Sequence, residues 1–177
     1  INNNSLITRE PISRYTKISL ILFIGKSKIS DSASYIVFSE KSQKEFYAFR
    51  FDGNADKIHR LVLIKSTIKD TTLPSMAKWN FTITELASEA VDLPYDKKMD
   101  VKIETDEKKI TLYVDGKKIL KYKADERIDS GRIGFSNRNA QPRIYGVKVM
   151  NGKEVVFEDD FKEDSISRFI MKRKPAK

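Results

Sequence analysis

Apolar residues recur at every second position along most of this chain, and that period fits β-strands far better than helices. In TKISLILFIG, Ile18, Leu20, Leu22 and Ile24 share one face while Ser19, Ile21 and Phe23 form the other. Apolar residues on both faces predict a strand covered on both sides. In ASYIVFSE, Tyr35 and Val37 alternate with Ile36 and Phe38, and EFYAFRFDG sets Tyr47, Phe49 and Phe51 against Ala48, Arg50 and Asp52. HRLVLIKS, WNFTITE, MDVKIE, KKITLYV, KKILKYK, GRIGFS, RIYGVKVM and EVVFEDDF continue the series, separated by short polar turns. In ITLYVDGKKI, Asp115-Gly116 offers two positions that accept positive φ, as a type I′ hairpin turn requires. Gly131 and Gly134 in GRIGFS predict a bend or a close backbone approach. The series amounts to roughly ten to twelve strands, the pattern of an all-β, antiparallel two-sheet β-sandwich or jelly roll. Helix is expected only over Leu86–Val91, before Pro94, and over Ser165–Lys172.

At 177 residues the default is one domain, large enough to hide about 70% of its unfolded surface without a staple. Cys is absent, so disulfides, a thiolate nucleophile and Cys-based zinc sites are excluded. The net charge of +9 raises the question of nucleic acid. Five of those charges belong to Arg168–Lys177, which has no acid, and taking five from +9 leaves +4 on the rest. An acidic cluster, Glu158, Asp159, Asp160, Glu163 and Asp164, precedes this tail. The other cations are scattered along strands as solvent-facing residues, so a nucleic-acid partner is not expected. No apolar run reaches the ~18–20 residues of a membrane span. The ends, INNNSL and KRKPAK, read as those of a piece of a longer protein, or of a chain that has lost a leader.

Enzyme signatures are sparse. The one His, His59, sits in the strand-like run HRLVLIK and reads as a surface residue rather than a catalytic base. Neither a Gly-x-Ser-x-Gly elbow nor a phosphate-binding Gly-rich loop is present. Glu158-Asp159-Asp160 has adjacent acids that point to opposite faces of a strand, which does not suit a facing catalytic pair. Asp52-Gly53-Asn54-Ala55-Asp56 reads in two ways. It is a common turn sequence, and Asp52, Asn54 and Asp56 also offer oxygens at alternating positions to a calcium ion.

Two features suit a sugar ligand. Seven Tyr, ten Phe and one Trp supply rings whose faces can stack on a pyranose, and Trp79 at the head of its strand either lines a rim or plugs the core. Ser136-Asn137-Arg138-Asn139-Ala140-Gln141 gathers amides and a guanidinium in one loop. Asn3-Asn4-Ser5 and Asn80-Phe81-Thr82 fit the acceptor pattern for N-glycosylation, relevant only on a eukaryotic secretory route.

The order of YAFRFDG, HRLVLIKS and the run from Asp92 to Met150 resembles the concanavalin A-like lectin/glucanase superfamily, in particular its laminin-G-like and 3-keto-disaccharide-hydrolase-like branches. The resemblance rests on Val101 and Ile103, on Ile110 to Gly116, on Asp125, on Gly131 to Phe135 and on Val147 to Val149, and it covers residues 15–150. It implies a jelly roll of two antiparallel sheets, with ligands on a concave face or its rim loops. The glucanases' alternating acid motif is missing, so their catalytic residues cannot be transferred.

These observations lead to one jelly-roll domain over residues 1–161, with a basic tail or linker to a further domain over 162–177. The segment VVFEDDFKEDSISRF reads as a closing strand of this domain or the opening strand of another. The expected function is a non-catalytic, carbohydrate-binding module of a larger secreted or surface protein. A sugar-cleaving enzyme with an unrecognised acid pair, or a protein-interaction domain, is the alternative. The expected ligand-binding residues are Tyr47, Arg50, Asp52, Asn54, Trp79, Asn137, Arg138 and Asn139.

Overall fold

The computed structural model describes residues 4–26, 31–42, 44–69, 81–128, 130–161 and 169–173. Among them there are fourteen strands and no helix. One sheet has eight strands in the order β14-β1-β11-β4-β5-β6-β7, with β2 also paired to β11, and the other has six in the order β10-β9-β8-β3-β12-β13. The strands of the first are β1 (Asn4–Thr8), β2 (Ile12–Ser13), β4 (Ser32–Ser42), β5 (Glu45–Gly53), β6 (Lys57–Thr67), β7 (Thr82–Pro94), β11 (Ser130–Arg138) and β14 (Phe169–Arg173). Those of the second are β3 (Lys17–Gly25), β8 (Lys98–Asp106), β9 (Lys109–Val114), β10 (Lys117–Lys123), β12 (Gln141–Asn151) and β13 (Glu154–Asp159). All pairings are antiparallel.

The period of two decides what enters the core. Tyr47, Phe49 and Phe51 of β5 and Leu61 and Leu63 of β6 meet Ile18, Leu20 and Leu22 of β3 and Val101 and Ile103 of β8 between the sheets. Phe38 stacks on Phe49 with ring centroids 5.7 Å apart. The other face of β4, β5 and β6 carries a second apolar cluster, made of Ala33, Tyr35, Val37, Phe46, Ala48, Val62 and Ile64. Apolar side chains on both faces of these three strands are thus buried.

β3 differs from its expectation. Its core face is buried, but Ile21 is 43% exposed and Ser19 and Phe23 are half-buried, so only one face is covered. Apolar residues on the second face do not by themselves bring a second layer.

The helix expected over Leu86–Val91 is instead the middle of β7, a thirteen-residue strand paired with β6 from Lys57↔Pro94 to Thr67↔Thr82. Leu, Ala and Glu favour a helix by only a few tenths of a kcal/mol each. Edge pairing along the whole of β6, with Leu86, Ala87, Val91 and Leu93 packed on the core, outweighs that preference. A bulge opposite Leu63 and Ile64 shifts the phase, which lets the adjacent Leu86 and Ala87 both pack inward. Of the segment Ser165–Lys172, residues from Phe169 onward are described, and these belong to β14, the edge strand paired to β1.

The turn expected at Asp115-Gly116 is present, with φ of 50° and 76°. Asp115 ties the turn to β8, its carboxylate accepting the Asp100 N–H at 2.9 Å. Gly131 and Gly134 are the close approaches foreseen in GRIGFS. A Cβ on Gly131, at φ 127°, would lie 2.6 Å from the Ser39 carbonyl carbon, and one on Gly134 would lie 2.6 Å from Ile7 Cγ1. Among the described residues, no helix is long and apolar enough to cross a membrane.

Candidate functional site

The outer face of the eight-stranded sheet, turned away from its partner sheet, gathers several paired charged groups. Tyr47, Phe49 and Phe51 point inward, so Phe46, Ala48, Arg50 and Asp52 point outward. Strand register then sets the neighbours. Ser136, Tyr35, Arg50 and Val62 stand side by side across β11, β4, β5 and β6, and Arg138, Ala33, Asp52 and Arg60 form the adjacent row. Glu85 of β7 reaches the same patch. Five strands at about 4.8 Å make a track roughly 20 Å wide.

Along this track guanidinium and carboxylate groups alternate. Arg50 lies against Asp52, with Nε–Oδ1 at 2.7 Å and Nη2–Oδ2 at 2.9 Å. The first contact is ionic, without hydrogen-bond alignment, while the second is a hydrogen bond. Arg50 Nη2 also donates to Glu85 Oε1 at 2.7 Å, and Arg60 Nη2 donates to Glu85 Oε2 at 2.7 Å. At the other end Arg138 Nη2 donates to Asp31 at 2.5 Å, and Asn139 Nδ2 donates to the Asp31 carbonyl at 3.0 Å. The Nε of Arg138 is buried and meets no hydrogen-bond acceptor among the described residues.

Exposure divides the groups. The Arg50 and Asp52 side chains are 17% and 14% exposed, whereas Arg60, Glu85 and Arg138 are 39%, 42% and 41% exposed. The central pair therefore anchors the track, and the outer groups are open to a ligand. Beneath them Tyr35 is buried, and desolvation pushes its phenol pKa up, against the pull of the Arg138 and Arg50 charges. Hydrogen bonds from Arg50 hold the Glu85 carboxyl below its ordinary range, aided by Arg60 against partial desolvation. The Arg50 pKa is raised because its bonds to Asp52 and Glu85 outweigh desolvation.

The Glu85 shift has a testable consequence. A carboxylate with a depressed folded pKa adds stability above its unfolded pKa and loses that contribution as pH falls through the folded one. Melting temperature should therefore decline with acid below about pH 4.5. Glu85→Gln should remove part of that decline, and identical pH profiles for the two proteins would contradict the network. Glu104 and Glu126 are also lowered, the first chiefly by its hydrogen bond from Lys102 and the second by Lys65 against desolvation, so part of the acid sensitivity remains in the variant.

Of the residues expected to bind ligand, Arg50, Asp52 and Arg138 meet on this face, with Asn139 at its rim. Tyr47 does not present a stacking face. It is 4% exposed, packs on Phe38 with centroids 5.9 Å apart, and donates its hydroxyl to Glu126 at 3.2 Å beneath Lys65. Asn54 folds back on its own loop, where its Oδ1 accepts the Asp56 and Lys57 N–H groups at 2.9 and 3.0 Å. Asp52 is turned to Arg50, and Asn54 Oδ1 is engaged within its own loop. Among the described residues, no group of three or more His, Cys, Asp or Glu could share a metal ion. Asn137 is half-buried and alternates with Arg138, between Ser34 and Asn4 of the flanking strands. Trp79, Asn3 and Asn80 lie outside the described residues.

Sequence reasoning missed Tyr35, Arg60, Glu85 and Asp31. Charges inside apolar runs, as in YAFRFDG and HRLVLIK, were the available signal. The partnership of Arg50 with Glu85 depends on β6–β7 register across thirty-five positions, which no local pattern shows.

No protein-family model matches this chain, and no curated protein matches it in sequence. Solved structures do match its fold. A carbohydrate binding module, CBM66 from Bacillus subtilis, superposes with a TM-score of 0.58 at 18% identity, covering 81% of this chain and 80% of that one. Lactose- and MES-liganded congerin II superposes at 0.55 with 10% identity, covering 83% and 99%. Bacillus licheniformis β-glucanase superposes at 0.51 with 9% identity, covering 76% of this chain and 57% of that one. The chain therefore has the concanavalin A-like jelly-roll fold expected from its sequence.

Proposed function

We propose that this chain is a non-catalytic carbohydrate-binding module, part of a secreted or surface protein, and that the outer face of its eight-stranded sheet holds the sugar. The observation that carries the reading is the half-exposed track of Arg138–Asp31, Arg50–Asp52 and Arg60–Glu85 across five strands. A guanidinium offers a rigid fork of donors and a carboxylate offers acceptors, so such a row can bracket successive hydroxyls of a polyhydroxylated chain. Because each group is already held by a neighbour, little side-chain entropy is lost on binding. The sugar-binding names of two structural neighbours point the same way.

Binding is favoured over cleavage by the state of the acids. Glycoside hydrolysis requires a carboxyl that holds a proton to give to the leaving oxygen. On this face Asp52 is locked to Arg50, and Glu85 is held ionised by two guanidinium groups.

The test is a broad array of neutral glycans followed by calorimetric titration of any hit. Saturable binding with micromolar to millimolar affinity is expected. Arg138→Ala should weaken it about tenfold, the loss of one or two charge-assisted hydrogen bonds. A blank array, or unchanged affinity in the variant, would overturn the reading.

A further inference from the structure

The opposite surface of the molecule is built differently. In β8 the core takes Met99, Val101 and Ile103, which leaves Lys98, Asp100, Lys102 and Glu104 on the outer face of the six-stranded sheet. Register carries one row of that face across five strands as Lys118, Tyr113, Lys102, Ser19 and Lys148. Lys121 stands beside Thr111 and Lys123 beside Lys109, so β10 lines one margin with cations. Lys102 and Lys148 have carboxylate partners, Glu104 at 2.9 Å and Glu158 at 3.4 Å. Among the described residues, Lys118, Lys121, Lys123 and Arg143 have none within ion-pair distance. On the large sheet Arg50, Arg60 and Arg138 are each matched by an acid, while Arg132 donates to the Arg9 carbonyl. On the six-stranded sheet, cations without a carboxylate partner among the described residues line the β10 margin and reach Arg143 of β12.

The rings on this face discriminate among polyanions. Lys98 Nζ sits 4.0 Å from the centroid of Tyr145, Lys102 Nζ 4.1 Å from that of Tyr113, and the Arg143 guanidinium 5.7 Å from that of Phe23. Single-stranded nucleic acids gain much of their affinity by stacking bases on open aromatic faces. Here each of these rings already carries a cation. What the face offers outward is a set of ammonium and guanidinium groups, interrupted by Asp100, Glu104 and Glu158, on positions spaced about 4.8 Å across strands and about 7 Å along them. That set suits anionic groups displayed at intervals along a linear polymer.

We infer that the outer face of the six-stranded sheet is a second binding surface, specific for acidic polysaccharide chains bearing carboxylate or sulfate groups. It is separate from the carbohydrate track on the large sheet and does not depend on it. The attraction is between exposed charges, so it weakens with salt, in proportion to the number of ion contacts.

The probe is polygalacturonate, titrated into the full chain at several salt concentrations, with uncharged dextran, oligodeoxythymidylate of matched charge and phosphatidylserine vesicles alongside. Polygalacturonate should bind, dextran should not bind at this face, and affinity should fall about tenfold or more between roughly 50 and 200 mM salt. The triple variant Lys118→Gln, Lys121→Gln, Lys123→Gln should bind at least tenfold more weakly, with a shallower salt dependence. Its melting temperature and its titration with neutral glycan should not change, because these side chains are exposed and lie on the other sheet. Arg60→Ala, measured in parallel, should affect neutral glycan and leave polygalacturonate binding intact, so failure of either surface is separately visible. A triple variant that binds like the parent chain, or no polygalacturonate binding at low salt, would overturn the inference. Oligonucleotide or vesicle binding as tight as that of polygalacturonate would also overturn it.

Discussion

Phe49→Ala should lower the free energy of unfolding by about 3–5 kcal/mol, the range for deleting a buried aromatic ring. Phe49 is fully buried at the middle of β5, with β4 on one side and β6 on the other. Its ring packs on Phe38, and its neighbours in the core come from both sheets, so the cavity left by alanine cannot close without moving the two layers together. For a chain of this length the melting temperature should fall by on the order of 10 °C. Urea denaturation measures the effect directly. A loss below about 1 kcal/mol would mean that the two sheets do not share this core. Phe49 points into the core and away from Arg50 and Asp52 on the same strand, so the variant should retain glycan affinity wherever it remains folded.

Arg50→Ala should weaken glycan binding by at least about thirty-fold and should also destabilise the fold by about 2 kcal/mol. Among the described residues, Arg50 is the one group that touches both Asp52 and Glu85, and its side chain is 17% exposed. Removing it strands Asp52, itself 14% exposed, without its charge partner and lets Glu85 drift toward Arg60 alone. An unpaired, largely buried carboxylate is costly, which is the source of the stability loss. Arg60→Ala separates the two effects. At 39% exposure it should change stability by no more than about 0.5 kcal/mol while weakening glycan binding about tenfold. If Arg50→Ala destabilised the fold but left affinity intact, the ion network would be structural only.

How much of this was legible beforehand follows from the range of each signal. Strand positions, the Asp115-Gly116 turn and the inward set Tyr47, Phe49 and Phe51 are local, and the period of two places them. The segment around Leu86 misled because its residues favour helix locally, while its fate was set by pairing with β6. Tyr47 was the right kind of residue on the wrong face. Alternation groups it with Phe49 and Phe51, and those belong to the core. Arg50, Asp52 and Arg138 were singled out by their chemistry and lie on one face, but their charge partners there, Asp31, Arg60 and Glu85, come from other strands and loops. Which cations find carboxylate partners also lay beyond the sequence, since a net +9 does not say how the charges pair.

The most direct test of the carbohydrate reading is residue-resolved. Amide and side-chain shifts recorded by NMR during titration with the best neutral-glycan hit would locate the ligand. The reading predicts saturable shifts at Tyr35, Arg50, Arg60, Glu85 and Arg138, on adjoining strands of one face, with the six-stranded sheet undisturbed. Saturable shifts confined to other surfaces, with this track silent, would contradict it.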